Sequence, residues 1–168
     1  MPASLINHAH RSAATPDWAW VDAAPFRAHV RHVLTIHPLP WRVLAGYARV
    51  PDSLVRALLG IDRRPLRRIP PHYARALLAV DAGRLATDLN AWVETGQAAV
   101  AARTLQAAGW SVARIAHEGG FSPQAATTLL QGQAHFVTRH HMLALHAATR
   151  AHGLEPTDTT SATDQLAA

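Results

Sequence analysis

Apolar side chains recur three or four residues apart along most of the chain, and short breaks rich in proline and glycine separate these stretches. This period predicts amphipathic helices. The predicted helices cover residues 23–37, 41–48, 52–59, 71–82, 97–108, 112–118, 123–131 and 138–152. No stretch alternates strictly between apolar and polar residues, so no strand is predicted. The predicted fold class is therefore all-α.

Residues that favour helix ends mark several of these boundaries. Asp22, Ser111 and Ser122 each precede a predicted helix, where a side-chain oxygen can accept a hydrogen bond from a free amide of the first turn. Pro123 suits a first turn because proline has no amide hydrogen to leave unpaired. Gly83 is predicted to end the helix over residues 71–82.

The chain contains a degenerate internal repeat. Trp20-Val21-Asp22 returns as Trp92-Val93-Glu94, 72 residues later, and residues 41–45 correspond to residues 112–116, 71 residues later. Each copy holds two short helices joined by a tight turn, which is the pattern of a helix-turn-helix. We therefore predict two tandem helix-turn-helix units of about four helices each, packed as a compact pair. The predicted divisions are a flexible N-terminus (1–16), a first unit (17–85), a second unit (86–153) and a disordered tail (154–168).

The second copy carries the more complete motif, between Ile115 and Gly132. Gly120 is predicted to take the positive φ of the turn, which glycine adopts without steric cost. Phe121 is predicted to fill the corner between the two helices, and Ser122 to cap the second one. The predicted core face of this helix pair comprises Ile115, Ala126 and Leu130.

The first copy departs from the motif at its turn. Arg49 stands where the turn glycine would be, and Pro51 stands where the capping serine would be. Ala45, Val50, Val55 and Leu59 match the apolar positions of the second copy.

The second helix of each motif is the one that would enter a major groove, so its outward side chains are the candidate base contacts. Arg56 is the best candidate for a guanine contact, because its guanidinium fork matches O6 and N7. Gln124 would suit adenine, and a threonine would suit a thymine methyl group or a phosphate. The candidate base contacts are Asp52, Ser53 and Arg56 in the first copy, and Gln124, Thr127 and Thr128 in the second.

Basic residues are concentrated in the first copy. Residues 26–84 hold eleven arginines and three aspartates, and the whole chain has a formal net charge of +5 with no lysine. A basic surface of this kind attracts a polyanion. Residues 63–68 hold four arginines, and phosphate contacts by all four would steepen the salt dependence of log K by about 3.6. The candidate phosphate or minor-groove contacts are Arg42, Arg49, Arg63, Arg64, Arg67, Arg68 and Ser122.

The two copies resemble the helix-turn-helix DNA-binding proteins of actinobacteria and their phages that carry two tandem repeats. The resemblance rests on residues 20–80 of the first copy and 105–132 of the second, and it extends over residues 20–150. It implies a DNA-binding role without indicating a target. We therefore predict sequence-specific binding of double-stranded DNA, as a transcriptional regulator in the cytoplasm on the nucleoid. A protein-interaction module (an antitoxin or an accessory subunit), a sequence-tolerant nucleoid-type DNA binder and a homodimer stay open.

Several other classes find no support in the residues. The chain has no cysteine, no paired arrangement among its 11 carboxylates and no glycine-rich phosphate loop, so an enzyme is not predicted. His29 and His32 lie one helical turn apart, but no further ligand completes a metal set, so neither a metal nor another cofactor is predicted. No apolar run approaches the ~20 residues that span a bilayer, so no membrane partner is predicted.

Four of the tryptophans occupy matching places in the two copies. Trp20 and Trp92 precede the first helix of each copy, and Trp41 and Trp110 lie at or before the second helix. We predict that all four belong to the structural core.

Overall fold

The computed structural model describes residues 20–61 and 64–154, and these residues form mainly helices. The first part contains β1 (Val21–Asp22), α1 (Ala24–Ile36), α2 (Trp41–Ala48), α3 (Asp52–Leu59), β2 (Arg68–Ile69), α4 (Pro71–Leu78) and α5 (Ala82–Asn90). The second part contains β3 (Trp92–Glu94), α6 (Gly96–Ala107), α7 (Val112–Gly119), α8 (Pro123–Leu130), β4 (Phe136–Thr138) and α9 (Arg139–Ala151). The largely helical architecture confirms the all-α prediction at this coarse level.

The same order of elements occurs twice along the chain. A strand, three helices, a strand and a helix run from β1 to α4 and again from β3 to α9, with α5 between the two sets. β1 pairs antiparallel with β2, and β3 pairs antiparallel with β4. Val21 lies opposite Ile69 in the first pair, and Val93 lies opposite Val137 in the second. The predicted boundary between residues 85 and 86 falls inside α5.

The prediction that the chain contains no strand is wrong. Each strand is only two or three residues long, which is too short to show a period of two in the sequence. Each strand also pairs with a partner on the far side of three helices, as Val21 does with Ile69. Pairing across such a separation depends on how the helices pack.

The predicted helix over residues 71–82 is also wrong in its extent. α4 ends at Leu78, and a new helix, α5, begins after Asp81. The carboxylate of Asp81 accepts a hydrogen bond of 2.8 Å from the amide of Gly83, so Gly83 lies in the first turn of α5 and does not end α4.

Local signals placed the helices of both motifs well. α2 and α3 have the predicted bounds, and α7 and α8 differ from prediction by a single residue each. The hydroxyls of Ser111 and Ser122 cap α7 and α8 as predicted, each at 3.2 Å from an amide three residues further on. Gly120 has a φ of 75°, as the turn requires.

Two apolar cores are connected by one helix. The first core contains Val33 and Leu44, and the second contains Leu105 and Ile115. α9 contributes to both: Leu143, Ala144 and Ala147 belong to the first core, whereas Leu145 and Ala148 belong to the second. The two repeated sets therefore pack against each other through α9.

Some predictions concern residues that the structure does not describe. The flexible segment 1–16, residues 155–168 of the predicted tail, and Arg63 lie outside the described residues. Within residues 20–61 and 64–154, no helix combines the length and apolar character needed to cross a membrane.

Candidate nucleic-acid interface

The turn between α7 and α8 is built around two glycines and an aromatic ring. Gly120 takes the left-handed conformation, and the amide of Phe121 donates to the carbonyl of Ala116 at 3.0 Å. The ring of Phe121 packs over Gly119 so closely that a Cβ added there would overlap the ring. Phe121 therefore fills the corner between the helices, as predicted.

α8 presents a polar face to solvent. Gln124 and Thr127 are exposed, Thr128 is half-buried, and the buried side is formed by Ala126 and Leu129. The predicted core residue Leu130 is only half-buried, because Leu129 takes the central position.

The hydroxyls of the α8 threonines are engaged within the helix. Thr127 donates to the carbonyl of Pro123 at 3.0 Å, and Thr128 donates to the carbonyl of Gln124 at 2.9 Å. A phosphate oxygen needs a donor, and these hydroxyl hydrogens are already used. In a DNA complex the arrangement would favour contact of the threonine methyl groups with thymine over contact with phosphate.

The turn between α2 and α3 has the same backbone form with different residues. Arg49 has a φ of 55°, and the amide of Val50 donates to the carbonyl of Ala45 at 3.0 Å. Pro51 occupies the N-cap of α3 and makes no side-chain hydrogen bond there. An arginine in this conformation is sterically disfavoured, so the tertiary structure has to hold it there.

α3 exposes Ser53 and Arg56, but its first residue is tied to other helices. The Asp52 carboxylate lies 3.2 Å from a terminal nitrogen of Arg150 and 3.9 Å from the Nε atom of Arg42. The same Arg150 nitrogen donates to the carbonyl of Arg42 at 3.2 Å. Asp52 therefore joins the start of α3 to α2 and to the end of α9, and its carboxylate is engaged by cations of the protein itself.

Arg150 also shapes the surface beside α3. A groove of about 610 Å³ runs between the outward face of α3 and the end of α9. Its lining includes the predicted contacts Arg42, Ser53 and Arg56 together with Arg150, which the sequence did not single out. No local signal could have identified Arg150, because its partner Asp52 lies 98 residues away.

The arginine-rich loop lies at the surface where it is described. Arg64, Arg67 and Arg68 are exposed, and Arg68 belongs to β2, opposite Asp22 of β1. The exposed guanidinium groups leave this loop accessible to a polyanion.

Other arginines in the first part hold the fold together. Arg27 of α1 donates through Nε to the carbonyl of Leu58 at 2.9 Å and through a terminal nitrogen to the carbonyl of Leu66 at 2.5 Å. Arg31 donates to the carbonyl of Leu59 at 3.4 Å. These bonds stabilise the C-terminal end of α3, so part of the basic charge serves the fold.

The prediction that the matching tryptophans are core residues is wrong for two of them. Trp20 is 57% exposed and Trp92 is 72% exposed, whereas Trp110 is buried and carries the Arg114 guanidinium 3.7 Å above its ring. Val21 and Val93 take the inward positions next to the exposed rings. Side chains alternate between the two faces of a strand, so a tryptophan adjacent to an inward valine must point outward.

Several histidines have structural partners or lie half-buried. His29 contacts the carbonyl of Val80 at 3.0 Å, and His37 contacts the carbonyl of Ala82 at 2.6 Å. Burial lowers the pKa values of His140 and His141, which pack behind the Gly120 turn. Among the described residues, no group of three or more His, Asp or Glu side chains is arranged to hold a metal ion.

No protein family, curated protein or solved structure matches this chain.

Proposed function

We propose that this protein binds double-stranded DNA sequence-specifically and acts as a transcriptional regulator. One feature that occurs twice supports the proposal most: a pair of eight-residue helices joined through a residue with a positive φ, Arg49 at 55° and Gly120 at 75°. In helix-turn-helix proteins the second helix of such a pair enters the major groove. α3 and α8 are the two proposed recognition helices.

The surroundings of α3 suit a phosphate backbone better than those of α8 do. Exposed arginines flank α3 on the preceding turn, on the following loop and on its own outward face. α8 presents mainly neutral polar groups, Gln124 and Thr127 among them. The first unit would therefore supply most of the affinity, and the second would refine the choice of sequence.

Two unlike recognition helices in one chain define the kind of target. Because they are covalently linked, binding of one helix raises the effective concentration of the other at the neighbouring half-site. The proposed target is a site with two different halves, which need not be palindromic. A regulator of this kind would act in the cytoplasm, on the nucleoid, without a cofactor or a catalytic step.

Enrichment of random duplexes by the purified full chain tests the proposal. We expect one motif with two unlike halves, and a log K that falls steeply with the logarithm of salt concentration. Weak binding of all duplexes alike would point to a nucleoid-type protein instead. Absence of binding at low salt would contradict a DNA-binding role altogether.

Substitution of Arg56 tests the assignment of α3 as a recognition helix. Arg56→Ala should weaken binding to the selected site by about 1–3 kcal/mol, roughly 5- to 150-fold, and relax the preference at one base pair. Arg103→Ala on the exposed face of α6 removes the same charge away from both motifs and serves as the control. Equal affinity and unchanged base preference in the two variants would refute the assignment.

A second candidate function has one observation in its favour. Trp92 and Phe136 are 72% and 60% exposed, and both lie on the outward side of the β3–β4 pair. Exposed aromatic rings are enriched at protein–protein interfaces. Docking of a protein partner through this pair would mark the chain as an interaction module, and a chain that fails to enrich any duplex would favour that function.

A further inference from the structure

A second groove, of about 670 Å³, lies where the two repeated sets meet. It is lined from the end of α2, from α4, from β3 and α6, and along α9. Apolar side chains, Val80, Val93 and Leu143 among them, form part of its wall. Three arginines complete the lining: Arg49, Arg139 and Arg150.

The charged residues that line this inter-unit groove are all cationic. No carboxylate of the described residues lines it, although the Asp88 side chain lies behind the Tyr47 hydroxyl, which donates to it at 2.6 Å. Asp52 pairs with Arg150, but it lines the groove between α3 and the end of α9 and not this one. Within the described part of the chain, neither Arg49 nor Arg139 is within ion-pair distance of a carboxylate. Cationic groups set in a cleft with apolar walls concentrate anions there.

His146 adds an unsatisfied polar atom at the same place. It lines the inter-unit groove, and its Nε2 atom is buried with no hydrogen-bond partner among the described residues. Burial and the neighbouring Arg150 lower its pKa and so favour the neutral ring. A buried polar atom without a hydrogen-bond partner lowers stability by about 1–3 kcal/mol, and such atoms are rare in native proteins.

Arg49 lines this groove from a backbone conformation that is unfavourable for arginine. Its backbone has a φ of 55°, in a turn where the other copy uses glycine. Glycine would avoid the steric cost, whereas arginine adds a cationic residue to the lining of the groove. Arginine at this position therefore adds to the cationic lining of the groove, but it leaves the turn in a conformation with a steric cost.

We propose that the inter-unit groove binds a small organic anion with an apolar body. The anionic group would lie between Arg49 and Arg139, and the apolar body would pack against Val80, Val93 and Leu143. Guanidinium groups bind carboxylates and related oxyanions through paired, charge-assisted hydrogen bonds. The apolar wall would select organic anions over inorganic ones.

The position of the groove links it to α3. Arg49 precedes α3 in the turn, and Arg150 contacts Asp52, the first residue of α3. An anion bound between Arg49 and Arg139 would attract Arg150, which lines the same groove, away from Asp52 and so change the contacts that orient α3. This regulatory consequence depends on the proposed DNA-binding function, whereas anion binding itself does not.

Fluorescence titration of the full chain with 8-anilinonaphthalene-1-sulfonate, without DNA, tests the site. This dye combines a sulfonate with apolar rings, and we expect saturable binding that benzoate displaces. Arg139→Gln should weaken dye binding about 10-fold, the loss expected for one charge-assisted hydrogen bond. Arg103→Gln on α6 makes the same charge change outside the groove and should stay within about twofold of the unaltered chain.

Three results would overturn the site. Equal dye affinity of the two variants would show that Arg139 does not hold the anion. Displacement by inorganic phosphate as effective as that by benzoate would show that the apolar wall contributes nothing. If Arg139→Gln does not fold, the site is tested by the changes in amide NMR shifts when benzoate is added to the unaltered chain. Changes confined to residues outside 46–49, 93–97 and 139–150 would exclude the groove as the binding site.

The coupling to DNA is tested separately on the selected duplex. A change in DNA affinity on adding benzoate, lost in Arg139→Gln and kept in Arg103→Gln, would support regulation through the inter-unit groove. If the dye binds but no duplex is enriched, the proposed anion site stands and only the proposed DNA-binding function is contradicted.

Discussion

Gly119 and Gly120 are neighbours in the second turn, and each meets a different requirement. Gly120 supplies a φ of 75°, which side chains rarely adopt, and Arg49 takes the equivalent conformation in the first turn. Gly119 is helical, and it is required because it has no side chain: the ring of Phe121 occupies the space that a Cβ would fill. The sequence predicted the turn at Gly120, but only the packed ring shows why Gly119 precedes it.

Gly119→Ala should lower the free energy of unfolding by about 1–3 kcal/mol, because the new methyl group would overlap the Phe121 ring. Gly96→Ala is the matched control in α6, where an added Cβ meets nothing within 4 Å. It should change the free energy of unfolding by less than about 0.5 kcal/mol, because Gly96 is the first residue of α6 and not in its interior. Urea unfolding of both variants measures the two effects, and a loss of the same size in both would contradict the overlap.

α3 is held at both ends by helices that are distant in sequence. Its first residue, Asp52, contacts Arg150 of α9, and its last carbonyls accept hydrogen bonds from Arg27 and Arg31 of α1. The last carbonyls of a helix have no partners within it, so an external cation stabilises that end. The bounds of α3 follow from its own sequence, whereas its orientation depends on these contacts.

Arg27→Met should lower the free energy of unfolding by about 2–3 kcal/mol. The substitution keeps an unbranched side chain but removes the charged hydrogen bonds to the carbonyls of Leu58 and Leu66. Arg31→Met removes one exposed bond of 3.4 Å and should cost less than about 1 kcal/mol. Denaturant titration compares the two variants, and an equal cost would show that Arg27 does not anchor α3.

At the scale of the whole molecule, α9 decides how the two sets pack. It contributes to both apolar cores, and it carries His140, His141 and His146, whose pKa values are all lowered by burial. A lowered pKa in the folded state means that protonation favours the unfolded chain, in which histidine titrates near pH 6.5. These histidines therefore support stability above that pH, and the support is lost as the pH falls below it.

Acidification from pH 7.5 to pH 5.5 should accordingly lower the free energy of unfolding. His146→Gln should reduce this loss, because glutamine stays neutral where His146 is packed beside Arg150. The exposed His117 of α7 provides the control substitution, His117→Gln. Urea unfolding at the two pH values gives the comparison, and an undiminished loss in His146→Gln would show that this histidine does not carry the pH dependence.

The sequence by itself determined the features that depend on neighbouring residues. Helical periodicity and the prolines before them placed α2 and α3 at their observed bounds, and the capping residues Ser111 and Ser122 placed the starts of α7 and α8. The repeat of Trp20-Val21-Asp22 as Trp92-Val93-Glu94 corresponds to the repeated order of elements. These features can be predicted from the sequence because a helix and its cap form from residues only a few positions apart.

The tertiary structure alone decided the strand pairs, the exposure of Trp20 and Trp92, and the contact between Asp52 and Arg150. It also decided the inter-unit groove, whose walls come from helices in both parts of the chain. Each of these depends on residues far apart in sequence, which meet only after the helices have packed. A one-dimensional pattern records which side chains are apolar or charged, but it does not record which of them become neighbours.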